Sequence, residues 1–168
     1  MKSVLPIMNK EKIYQYLDEC KIAYEVFEHP AVYTVAQANN LNLPYPEAGA
    51  KNLFLRDDKK RNYYLLTVRD TAPVDFKSLR QKIGSRRLTM ASETDLEQIL
   101  HLSSGSVTPL GLLNDTRHSV QFLLDSSFLG HRIGIHPNEN TATVYLKTDD
   151  LLTLLDQNGI NPVCIDFA

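Results

Sequence analysis

Residues 51–69, KNLFLRDDKKRNYYLLTVR, set two apolar runs, 53–55 and 63–68, on either side of a charged turn at 56–62. A chain written this way doubles back as an antiparallel β-hairpin. A lone hairpin is marginal in water, so these apolar runs demand cover from the rest of the chain.

The remaining segments read as that cover. Asn9 is placed to cap a first helix carrying Ile13, Tyr16, Leu17 and Cys20 at helical spacing. IAYEVFEH at 22–29 alternates and reads as a strand ended by His29-Pro30. TVAQANNL reads as a short helix capped by Thr34, and NLPYPEAG at 42–49 as turn chemistry. PVDFKSLRQKIG reads as a helix stopped at Gly84, and ASETDLEQIL as another capped by Ser92, with Asp95 three residues on. HSVQFLLDSSF, RIGIHP, TATVYLK and PVCIDF read as strands, with NEN as a turn. TDDLLTLLDQNG reads as a helix with Thr148 as its cap. Strict βαβ alternation is absent. The expected class is therefore mixed α/β, built around one largely antiparallel sheet. The length of 168 residues suits one domain, residues 1–168, with a core of its own.

Composition narrows the function. The net charge is −2, which argues against a large nucleic-acid footprint, because phosphate neutralisation dominates such binding. It leaves a small, transient contact open. Cys20 and Cys164 form no CxxC pair and are expected as reduced, buried thiols. The first residues, MKSVLPIMNKEK, lack the apolar core of a signal peptide, and no run is long enough to span a membrane. A cytoplasmic protein is expected.

Candidate chemistry gathers in SGSVTPLGLLND, residues 104–115. Ser106 as a nucleophile would need a base and an orienting acid. There is no GxSxG elbow, yet five histidines (29, 101, 118, 131 and 136) leave a relay open by composition. No HExxH, Cys cluster or phosphate loop occurs, so neither a metal nor a nucleotide cofactor is expected. Lys51 stands where a turn enters a strand. It is either an edge lysine kept for solubility or a cation holding a phosphate or a developing negative charge. Asn52 beside it can donate and accept. In the loop from Gly105 to Pro109, glycine opens unusual backbone angles and proline restrains Thr108, so main-chain N–H groups can be aimed at a carbonyl. An ordinary turn is the plain alternative. His136, before Pro137, is either a structural histidine or a hydrogen-bond partner for a substrate. The basic residues Lys59, Lys60, Arg61, Arg80, Lys82, Arg86 and Arg87 are a solvated face by default and are also able to touch phosphates.

AKNLFL, NYYLLTV, GSVTPLGLLND and IGIHPNENTATVYL occur in an order that resembles the free-standing prolyl-tRNA editing domains, the YbaK/ProX or INS-like deacylase superfamily. The resemblance runs from about Tyr24 to Phe167. It is closest to the branch that removes alanine from mischarged tRNA-Pro. It implies a curved central sheet with surrounding helices, and ester hydrolysis in trans without cofactor or metal. It also implies a monomer that receives the acceptor end of tRNA-Pro and touches prolyl-tRNA synthetase only transiently. Carried over residue by residue, Lys51, Gly105 and Ser106 would be catalytic. Asn52, Val107, Thr108, Pro109 and His136 would bind substrate. Relatives often have Pro before the loop glycine and Phe after the loop proline, where this chain has Ser104 and Leu110. Two alternatives remain: a deacylase for tRNA misacylated with cysteine or serine, and a non-catalytic module that binds the aminoacyl acceptor end.

Overall fold

The expected hairpin forms with a tight turn. In this computed structural model, which describes residues 6–167, β2 (Ala50–Asp57) runs antiparallel to β3 (Tyr63–Arg69), with Ala50 opposite Arg69 and Arg56 opposite Tyr63. The turn is closed by Asp57, whose carboxylate accepts from the Arg61 N–H at 2.9 Å and from Asn62 Nδ2 at 2.7 Å.

The elements before the hairpin are α1 (Lys10–Glu19), β1 (Tyr24–Glu28) and α2 (Val35–Asn39). Asn9 Oδ1 caps α1 by accepting from the Lys12 N–H, and Thr34 Oγ1 caps α2 by accepting from the Gln37 N–H. After it come α3 (Phe76–Ile83), β4 (Leu88–Met90) and α4 (Glu93–Asp95). Gly84 ends α3 at φ +68°, a left-handed angle that glycine takes without steric cost. Ser92 Oγ caps α4 as read, but the helix widens into a π-turn over Leu96–Leu100. The chain then forms β5 (Val120–Asp125), β6 (Arg132–Ile135), β7 (Ala142–Lys147), α5 (Thr148–Asp156) and β8 (Val163–Ile165).

The class is mixed α/β with largely antiparallel strands, as expected. The strands divide, however, into a five-stranded ladder, β4-β2-β3-β5-β8, and a three-stranded ladder, β1-β7-β6. β3–β5 and β5–β8 are parallel and the other pairs antiparallel. A bridge between Gly49 and Gly134 joins the two ladders. The larger one is covered on both faces. Phe54, Leu65, Phe122 and Leu124 share a core with α1, α5 and the smaller ladder, while Leu55, Leu66 and Leu123 pack with Leu79 of α3. Burial on both faces explains why NYYLLTV is continuously apolar rather than alternating.

Two expectations are corrected. Thr148 is the first residue of α5 rather than its cap. Lys147 holds the cap position, and Thr148 Oγ1 is buried with no hydrogen-bond partner among the described residues. Both cysteines are free, but neither is buried: Cys20 is half-buried and Cys164 exposed, the latter because β8 is an edge strand. No described helix is long and apolar enough to cross a membrane.

Candidate active site

The site forms on the outer edge of β2. Asp57 donates its N–H to Asn62 O, and Asp70 donates to Gly49 O, so odd-numbered residues of β2 turn their main chain toward β3. Even-numbered residues turn theirs outward, where Phe54 O accepts from the Ala91 N–H at 2.9 Å. β4 covers that edge only from Leu55 to Asp57, and β6 meets the chain only at Gly49. Asn52 lies in the gap, with its N–H and C=O facing an edge that no described strand covers. A cavity of about 410 Å³ opens there.

Lys51, Asn52, Gly105, Val107 and His136 all line this cavity. Neighbours in a strand leave on opposite faces, yet both Lys51 and Asn52 reach it, because it wraps the open start of β2. Asn52 Oδ1 accepts from Thr67 Oγ1 at 2.5 Å, which leaves its NH₂ as the free end. The Lys51 ammonium makes no hydrogen bond or ion pair among the described residues.

The loop presents main-chain donors. Gly105 stands at φ +88°. The Ser106 N–H is taken by Ser103 O at 3.0 Å, whereas the N–H groups of Gly105 and Val107 have no partner among the described residues. Ser106, Thr108 and Pro109 stand behind the cavity wall. Ser106 is 2% exposed, and its hydroxyl accepts from Ser103 Oγ at 3.4 Å, so nothing in this geometry supports it as a nucleophile. Thr108 Oγ1 donates to His136 O at 2.7 Å, and Pro109 opens the 3₁₀ turn Pro109–Asn114. Thr108→Val removes that part-buried hydrogen bond and is expected to cost about 0.5–1.5 kcal/mol in urea unfolding, with His136 losing its placement.

His136 comes to the cavity as a neutral ring. Its Nδ1 lies 2.9 Å from Ala142 O, which only accepts, so Nδ1 carries the proton and Nε2 is left with a lone pair. Burial holds the ring below the usual histidine range, helped by the nearby charge of His29 and opposed by the Ala142 hydrogen bond. The His29 ring stands 6.2 Å away, edge to face, and its Nε2 pairs with Thr143 Oγ1 at 2.9 Å.

The bridge glycines shape another part of the lining. A Cβ at Gly134 would lie 2.6 Å from the Tyr145 ring, and one at Gly49 would lie 2.1 Å from Asp70 Oδ2. Tyr145 and Asp70 both line the cavity. The Tyr145 phenol is pushed up to about 12, first by burial and then by the charges of Glu47 and Asp70. Sequence reasoning named His29 only as one of five histidines open to a relay, and missed Thr143, Tyr145 and Asp70. Of these three only Asp70, a charged residue closing an apolar strand, gave any signal.

Residues 29–154 match the family model described as aminoacyl-tRNA editing domain. The chain belongs to that family. The editing domain is 39% identical over 151 residues to the prolyl-tRNA editing protein ProX of Acetoanaerobium sticklandii, covering 89% of this chain and 92% of that protein. It is 36% identical to prolyl-tRNA synthetase associated domain-containing protein 1 of Mus musculus, covering 94% and 96%. A solved structure described as a candidate trans-editing enzyme for prolyl tRNA synthetase shares the fold, with a TM-score of 0.67 at 19% identity over 99% of this chain and all of that one. The editing domain is an aminoacyl-tRNA deacylase, and mischarged tRNA is its substrate class.

Proposed function

We propose that this deacylase hydrolyses alanine from mischarged tRNA-Pro in trans, as a single cytoplasmic domain acting as a monomer. The observation that carries this reading is the meeting on one cavity of two loop amides and a lysine without partners among the described residues, and a neutral histidine. An ester needs water in place and a stabilised oxyanion, not a covalent nucleophile. The Gly105 and Val107 N–H groups hold the carbonyl oxygen as charge develops on it. Water adds to the carbonyl carbon. The bond to the ribose 3′-oxygen then breaks, that oxygen takes the proton given up by the attacking water, and alanine leaves.

His136 Nε2 accepts from the ribose 2′-hydroxyl, which orients the water. Lys51 adds positive field and holds the terminal phosphate, and Asn52 donates its amide to the acceptor end. Ser106, Thr108 and Pro109 act by shaping the loop. Selection of alanine over proline acts as a second sieve after charging. The ProX likeness supports tRNA-Pro as the carrier, and contact with prolyl-tRNA synthetase is transient.

The test is a panel of tRNA-Pro charged with alanine, cysteine, serine or proline. Alanine is expected to leave fastest and proline to stay. Faster loss of cysteine or serine would reassign the specificity, and binding of every member without turnover would make the protein a binding module.

The neutral histidine sets the pH dependence. A folded value below the ordinary 6.5 means that the unfolded chain binds the extra proton, so both stability and activity are complete above that range. Stability is expected to fall as the pH drops below 6.5, and activity to fall at lower pH, where the folded ring itself takes the proton. His136→Asn should remove the acid limb of the activity profile while lowering the plateau, as read in single-turnover rates across pH.

A further inference from the structure

An aminoacyl ester carries an α-ammonium beside the carbonyl under attack. The loop amides and Lys51 are donors and cations, so none of them can receive it. Two carboxylates line the cavity, and Glu93 is exposed at the start of the short helix α4. We propose that Asp70 is the acceptor for the substrate α-ammonium, and that Gly49 is glycine to make room for it. The proposal rests on the deacylase reading.

Asp70 is half-buried at the end of β3, and its carboxylate has no hydrogen bond or ion pair among the described residues. A carboxylate taken partly out of water normally finds a cation. The adjacent Arg69 does not supply one. Its guanidinium donates to Ser127 Oγ at 3.0 Å, to Ser127 O at 2.7 Å and to Glu47 O, and lies 4.0 Å from the Phe128 ring centroid.

Gly49 explains how the carboxylate comes to stand there. Its φ of −58° and ψ of 130° suit any residue, so glycine is not required by conformation. What glycine does is leave the carboxylate its place, since a Cβ would meet Asp70 Oδ2 at 2.1 Å and Cγ at 2.7 Å and displace it. Gly49 and Asp70 are cross-strand partners, as are Lys51 and Val68, so the Asp70 and Lys51 side chains leave on one face of the hairpin. They form no ion pair with each other. One negative and one positive group, held apart beside the open edge, complement a substrate that brings an ammonium and a phosphate.

The experiment compares two stable amides of 3′-amino-3′-deoxyadenosine, one acylated with alanine and one with propionate. They differ by a single ammonium, and their Kd values are read by calorimetry at pH 7. The wild-type protein is expected to bind the alanyl amide at least about tenfold tighter. Asp70→Asn and Gly49→Ala should each erase that preference and leave propionyl binding unchanged. Equal weakening of both ligands, or a preference that survives Asp70→Asn, would overturn the proposal. Matching unfolding midpoints separate these results from loss of fold. Because binding is read without turnover, an ammonium preference in a protein that leaves Ala-tRNA-Pro intact would sink the proposed alanine reading and leave Asp70 standing.

Discussion

Gly105→Ala is expected to reduce deacylation by about 100-fold while the protein stays folded. Two effects act together. The backbone at φ +88° is left-handed, and an L side chain there costs about 1–2 kcal/mol. The new Cβ would also lie 2.9 Å from Tyr33 Cδ1 and 3.2 Å from Asn140 Nδ2. Tyr33 is 69% exposed and free to swing aside. Asn140 is held by its bond to Val32 O at 3.0 Å, so the loop itself shifts. A displacement of about 1 Å in groups that position a reacting carbonyl is enough for a loss of this order. Single-turnover rates on Ala-tRNA-Pro, read beside a urea midpoint, check it. Wild-type rates in a folded Gly105→Ala protein would remove the loop amides from the chemistry.

Lys51→Ala is expected to lower kcat/KM by about 10²–10³, the range for removing one electrostatic group aimed at developing charge. Stability should barely change, since the ammonium has no described partner to lose. Lys51→Arg should restore part of the activity by returning the charge without its placement. Full activity in Lys51→Ala would return this residue to the plain role of a strand-edge lysine kept for solubility. The pairing of a large kinetic loss with an unmoved melting point is what separates the two roles.

The hairpin was legible because its apolar runs are separated by a charged turn whose own side chains close it: Asp57 holds Arg61 and Asn62 in place. Caps at Asn9, Thr34 and Ser92 were legible for the same local reason, a short polar side chain two or three residues from the N–H it serves. Thr148 misled because its type fits a cap while the chain enters α5 one residue earlier. Strand direction was not legible. An apolar run such as QFLL carries no mark of whether its neighbour runs parallel, and β5 pairs in parallel on both sides.

The site divides along the same line. Lys51, Asn52, Gly105 and His136 were found as residues with a motif, and the loop could be read as a main-chain device because glycine and proline restrict the backbone wherever they stand. Which amides of that loop are free was decided by the Ser103 carbonyl, which takes the Ser106 N–H. Which ring nitrogen of His136 is free was decided by Ala142, six residues away across a turn. The opening at Asn52 exists because β4 and β6 stop short of each other along β2, and Asp70 faces Gly49 because the hairpin register puts them opposite. Local chemistry thus determined which residues are able to act. Pairing between segments distant in sequence determined which of their donors, lone pairs and charges are left over to do so, because a hydrogen bond made inside the fold is one no longer offered to a ligand.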